Sequence, residues 1–128
     1  MQVQAIYKNF RMSPQKMREM VRQIQGLRAE EAQAVLAVVP RKSARVVAKT
    51  LKSAIANAQD LKANNAKYRG LDTANLVVLE AVAGASSTLK RMTPKARGSA
   101  GPIIKRGCHV KIVLTDGQDG RSPAENQP

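Results

Sequence analysis

The spacing of apolar positions changes several times along this chain, and each change marks an element. Residues 2–9, QVQAIYKN, are mixed and partly alternating, which predicts a short strand. Ser13-Pro14 reads as a helix start, with Ser as N-cap and Pro at the first helical position, where its missing N–H costs nothing. Met17, Met20, Val21 and Ile24 then follow at spacings of three, four and seven from the first, one helical face that Gly26 closes. Lys16, Arg18 and Arg22 stay off that face. Such a Met stripe fills irregular gaps in a core more readily than it forms a ligand groove. A second helix is predicted over 29–38. Glu30 and Glu31 sit in its first turn, where the macrodipole favours acids, and Ala32, Val35, Leu36 and Val39 supply its buried side.

Residues 41–61 give the clearest helix. At about 100° per residue, Val47, Leu51, Ala54, Ile55, Ala58 and Leu61 form one stripe, and Arg41, Lys42, Arg45, Lys49 and Lys52 lie opposite. Residues 62–72 are polar and read as a loop. Residues 75–82, NLVVLEAV, are a continuous apolar run and predict a buried strand. Residues 109–115, HVKIVLT, alternate, with Val110, Ile112 and Leu114 on one face. Between these two strands stands GASSTLKRMTPKARGSAGPIIKR, residues 84–106, far longer than the roughly 2–5 residues of an ordinary hairpin loop. The strands therefore form an antiparallel hairpin with a long extension. The tail from 117 to 128 lacks the apolar residues a packed segment needs and is expected to be disordered.

Charge changes this picture from a fold to a binding surface. The chain of 128 residues carries 22 Lys and Arg against 9 acids, a net charge of +13. Residues 81–115 contain seven cations and no acid, and no acid lies between Glu31 and Asp60. A solvated basic face is the ordinary outcome for cations on a helix. Here five of them share one arc with no i,i+4 partner, which points to phosphate. The hairpin cations alternate with Gly84, Gly98, Gly101 and Gly107, which permit close backbone approach. Pro94 and Pro102 stiffen the segment. A segment of this kind, held at both ends by strands, is expected to order on binding a dense polyanion. The only aromatics are Tyr7, Phe10 and Tyr68, so recognition should rest on shape and phosphate, not on stacked bases.

Other chemistries lack their residues. One His and one Cys, adjacent at 108 and 109, cannot complete a usual metal site, and no second His could activate Cys108. The carboxylates are scattered and no phosphate-cradling Gly-rich motif occurs, so no catalytic residue, metal or cofactor is expected. No run approaches the roughly 20 apolar residues of a membrane span, the N-terminus does not read as a secretory signal, and a lone cysteine fits a reducing compartment. A membrane-active helix is a poor fit, because the stripe over 41–61 is Ala-rich and suited to a core. The main rival is an architectural DNA-binding protein with a basic β-arm and Pro94 as wedge.

Four stretches carry a family resemblance. They are RMSPQKMREMVRQIQG at 11–26, LKSAIANA at 51–58, LKRMTPKARGSA at 89–100 and IIKRGCHVKIVLTD at 103–116. In this order and at these distances they resemble the universal large-subunit ribosomal protein family numbered twenty-two in the bacterial scheme. The resemblance runs over roughly residues 3–116. It implies an α+β fold, three helices packed on a three-stranded antiparallel sheet with a long protruding β-hairpin, as one RNA-binding domain over 1–116. It implies a structural, non-enzymatic role in the cytoplasm, bound to the large ribosomal subunit. The partners would be large-subunit ribosomal RNA, neighbouring ribosomal proteins and the nascent polypeptide in the exit tunnel. By the match, Leu89, Lys90, Arg91, Met92, Thr93 and Pro94 would be the hairpin tip lining the tunnel. Lys95, Arg97, Lys105, Arg106 and His109 would contact RNA along the hairpin, and Arg11, Ser13, Lys16 and Arg18 would form a further RNA-facing edge. Arg41, Lys42, Arg45 and Lys49 join them from the basic helix face. Ser99, Gly101-Pro102 and Gly107-Cys108 depart from the family's more polar pattern.

Overall fold

The computed structural model describes residues 1–117, so from residue 118 onward the expected disordered tail lies outside the described residues. Strand β1 (Gln2–Phe10) leads into helices α1 (Pro14–Ile24), α2 (Ala29–Val38) and α3 (Lys42–Asn64). A single 3₁₀ turn at Ala66–Tyr68 precedes β2 (Val77–Ala85), β3 (Leu89–Pro94), β4 (Ala100–Lys105) and β5 (Cys108–Thr115). Strands β1, β5 and β2 form an antiparallel sheet in that order, and β3 pairs with β4 as a separate two-stranded ribbon. The expected α+β architecture is what is found.

One face of the sheet builds the core. Val3 and Ala5 of β1, Val110, Ile112 and Leu114 of β5, and Ala81 and Ala83 of β2 are buried there against Met17, Met20, Val21 and Ile24 of α1 and Val47, Leu51, Ala54 and Ala58 of α3. The period of two in the strands and near 3.6 in the helices brings these positions together. The central strand is buried more completely than its alternation predicts, because Val113 and Thr115 on its other face are covered too.

The sequence-based boundaries need several corrections. Helix α3 continues through Lys62–Asn64, which read as loop. Nothing there breaks a helix, and it ends only where the Asn65 N–H donates to Leu61 O at 2.9 Å. Its buried face is also wider, taking in Ser43, Ala44, Val46 and Thr50, because α2 packs on that flank. The Thr50 hydroxyl is satisfied by donating to Val46 O at 2.9 Å. Strand β2 starts two residues late. The Asp72 carboxylate accepts from the Ala74 N–H and the Asn75 side chain, which holds 72–75 in a turn. Val82, expected in a buried strand, is 42% exposed on the outer face. Ser13 precedes α1, but its side chain caps nothing.

The free edge of β2 is covered. Gly26 N–H donates to Val78 O, Val78 N–H to Leu27 O, and Ala29 N–H to Leu76 O, each at 2.9 Å. Further along, the Gln25 amide donates to Ala81 O at 2.9 Å and Arg18 Nε to Ala83 O at 3.1 Å. Helix α1 and its connection to α2 thus occupy groups that would otherwise template pairing with another chain.

Candidate nucleic-acid interface

The hairpin begins as an extension of the sheet. β2 and β5 stay paired from Val77↔Thr115 to Ala85↔Cys108, the Ser86 N–H donates to Gly107 O at 3.0 Å, and β3 and β4 pair from Leu89↔Lys105 to Pro94↔Ala100. From Ala85 to Lys95 the arm reaches roughly 33 Å at about 3.3 Å per residue. At the root the arms run close: a Cβ on Gly107 would lie 3.2 Å from Ser86 Cβ, a tight contact. Ser99 serves the turn: its hydroxyl donates to Ala96 O at 2.7 Å and its carbonyl accepts from Lys95 N–H at 2.8 Å.

The turn itself follows the 89–94 stretch. Leu89–Pro94 form the ascending strand, and the apex is Lys95–Ser99. Arg97 (φ 58°) and Gly98 (φ 71°) both occupy the left-handed region, as a tight hairpin turn requires. Gly adopts it freely, whereas a non-Gly residue does so at a cost on the order of 1 kcal/mol. Along β3, Leu89, Arg91 and Thr93 face one side, beside Lys105, Ile103 and Gly101. Lys90, Met92 and Pro94 face the other, beside Ile104, Pro102 and Ala100. Lys90 and Arg91 therefore point in opposite directions. Neither β3 nor β4 buries a single residue, and Met92 is 79% exposed.

A clamp fixes the root. Asn9, at φ 57°, interrupts the β1–β5 register between Tyr7 and Phe10. Its N–H donates to His109 Nδ1 at 3.0 Å, and its Oδ1 accepts from the Ser86 hydroxyl at 2.6 Å. The accepting Nδ1 places the imidazole proton on Nε2, the nitrogen left for any outside contact. Cys108 beside it is fully buried, and burial pushes its thiol up, which suits an inert residue.

The second basic region joins β1, α1 and α3. Tyr7 and Phe10 meet edge to face at 5.7 Å between centroids. Lys42 Nζ stands 5.5 Å over Phe10 and Lys49 Nζ 5.9 Å over Tyr7. Each ring supports a lysine stem and holds its ammonium at the surface. Lys42, Arg45, Lys49 and Lys52 recur at spacings of three and four, so one exposed face of α3 carries all of them. Arg11 and Lys16 are exposed nearby in sequence. Arg41 differs, since it pairs with Glu19. Arg18 also differs: it lies about 200° around α1 from Lys16 at 100° per residue, and its Nε is engaged on the β2 edge. Sequence grouping put Arg18 with Lys16, and the helix separates them.

Among the described residues, no carboxylate pairs with Arg11, Lys16, Lys42, Arg45, Lys49, Lys90, Arg91, Lys95, Arg97, Lys105 or Arg106. No group of three His, Cys, Asp or Glu is placed there to hold a metal ion, and no helix is long and apolar enough to cross a membrane. The roles of Asn9 and Ser86 in the clamp, and of Tyr7 and Phe10 beneath Lys49 and Lys42, have no signal in the sequence pattern. An Asn near a strand end tolerates positive φ, but its meeting with residues 86 and 109 depends on a strand register the sequence does not display.

A family model described as ribosomal protein L22p/L17e matches residues 5–115. The chain belongs to this family. It is 50% identical over 117 residues to the large ribosomal subunit protein uL22 of Opitutus terrae, across 91% of this chain and 97% of that protein. It is 43% identical over 120 residues to the uL22 of Akkermansia muciniphila, across 94% and 100% respectively. The match to the family spans both basic regions and the whole hairpin, from within β1 to the end of β5.

Proposed function

We infer that this protein works by neutralising charge inside the large ribosomal subunit, with a basic body that grips RNA and a narrow arm that enters a gap between packed helices. Membership of the L22p/L17e family makes it a structural constituent of that subunit, not an enzyme, with ribosomal RNA and ribosomal proteins as its partners and the bacterial cytoplasm as its place. The observation that carries the finer reading is the set of surface cations without carboxylate partners on α3 and along β3–β4. Unpaired cations repel one another in the free protein. Phosphates relieve that repulsion and release counterions, so binding is favoured and salt-sensitive. The hairpin adds direction. Lys105, Arg106 and His109 Nε2 lie along its returning arm, and Lys95 and Arg97 at its apex.

The reading extends to the nascent chain. A two-faced ribbon suits a wall between RNA and a passage: Leu89, Arg91, Ile103 and Lys105 on one side, Lys90, Met92, Pro94, Pro102 and Ile104 on the other. We assign the side bearing Arg91 and Lys105 to RNA and the more apolar side to the peptide passage. The test is filter binding of the purified protein to a large-subunit RNA fragment across a salt series, with duplex DNA as competitor. A log–log slope of several units and weak competition by DNA are expected. A flat salt response, or DNA competing as well as the RNA, overturns the reading.

A further inference from the structure

The N-termini of α1 and α3 open onto one cleft of about 370 Å³, lined by Met12, Lys16, Glu19, Arg41, Lys42 and Ser43. Its chemistry runs against what a helix start normally prefers. Acids are favoured in a first turn, and Ser, Thr, Asp or Asn as cap. At α3 the capping position is Arg41, no side chain caps the helix, and the first turn holds no acid. At α1 the Ser13 side chain makes no capping bond, and the first turn again lacks an acid. Basic residues thus crowd two positive helix ends, each at a cost of a few tenths of a kcal/mol upward.

A second observation points to what would compensate. Ser43 is only 3% exposed, lines the cleft, and its hydroxyl makes no hydrogen bond within the described residues. The hydroxyl oxygen is not sealed in, so it is open to a ligand entering the cleft. Ser43 lies in the first turn of α3, whose N–H groups have no helical partner, and Lys16 and Lys42 line the same cleft, the latter with its ammonium over Phe10. The one carboxylate present, Glu19, is already engaged with Arg41. The cleft therefore offers donors and positive charge, and its only acceptor charge is spent.

We propose that this cleft is a seat for one phosphate group of the RNA backbone. The phosphate accepts from the Ser43 hydroxyl and the α3 amides and lies between Lys16 and Lys42. This rests on the RNA-binding reading above and names a site for it on the body, apart from the hairpin. Two variants test it against the same RNA fragment. Lys42→Gln removes one cation. Ser43→Asp places a fixed carboxylate in the seat, where it suits the helix end but repels phosphate. Each should lower the salt slope by about 0.9, so that the affinity change between 50 and 200 mM salt shrinks about 3.5-fold. The melting temperature of Ser43→Asp should hold or rise. Inorganic phosphate gives an RNA-independent readout: the amide resonances of Ser43 and Ala44 should shift in the wild type and stay still in Ser43→Asp. A flat salt response in the wild type would sink the functional reading. A steep wild-type slope that both variants retain, or Ser43 and Ala44 amides unmoved by phosphate, overturns the seat itself.

Discussion

Replacing Asn9 separates backbone strain from hydrogen bonding at the hairpin root. The residue has two duties: it holds φ at 57°, and its Oδ1 takes the Ser86 hydroxyl at 2.6 Å. Asn9→Gly keeps the conformation and loses the side-chain bond, which is worth about 0.5–1.5 kcal/mol net and less at an exposed site. Asn9→Ala loses the same bond and also forces a Cβ into the left-handed region, at about 1 kcal/mol more. The backbone bond to His109 Nδ1 persists in both. The expected order of stability is therefore wild type, then Gly about 1 kcal/mol lower, then Ala about 2 kcal/mol lower. For a chain of this size each kcal/mol moves Tm by roughly 3–5 °C. Urea denaturation followed by circular dichroism measures the order. The same variants should bind the RNA fragment more weakly at an unchanged salt slope, because the arm loses its aim and no cation is removed. Equal stabilities for Gly and Ala would refute the strain argument, and a changed slope would refute the separation of aim from charge.

Arg18→Gln and Lys49→Gln should behave oppositely. The first uncovers the Ala83 carbonyl and should cost about 1 kcal/mol of stability while leaving the salt slope alone. The second should lower the slope by about 0.9 at a stability cost under about 1 kcal/mol. Ile112→Ala, at a fully buried position of the central strand, should cost about 2–5 kcal/mol in chemical denaturation. Lys90→Ala and Arg91→Ala, tested singly in assembled subunits, should give different signatures. Arg91→Ala should alter chemical protection of RNA beside the arm, and Lys90→Ala should alter crosslinking to a nascent chain; identical signatures would contradict the two-faced ribbon.

The sequence displayed what depends on period and hid what depends on register. Met17, Met20, Val21 and Ile24 could be placed in the core because four apolar positions on one helical face have nowhere else to go. Val110, Ile112 and Leu114 followed from alternation in the same way. The hairpin was legible because a long basic segment between two strands must leave the sheet. The end of α3 was not, since Lys62, Ala63 and Asn64 suit a helix but open a stretch, 62–72, that is largely polar. Arg18 and Lys16 stand on different flanks of α1, because residues two apart in sequence point apart on a helix. The clamp of Asn9, Ser86 and His109 needed three strands in register before it existed at all.

The hairpin and the body divide stability from binding. An isolated two-stranded ribbon is marginal in water, and this one has no buried residue, a strained Arg97 at its apex and cations along both arms. The β3–β4 ladder and the Ser99 turn offset only part of these costs. The body can fix only the root, through the clamp and the close approach at Gly107. Order at the apex must then come from the surroundings that receive it, and phosphate is the partner that turns unpaired charge from a cost into a gain. Substitutions between Leu89 and Lys105 should therefore leave the melting of the body alone and act on RNA affinity. Substitutions in α1, α3 and β5 should act on both, because the body aims the arm.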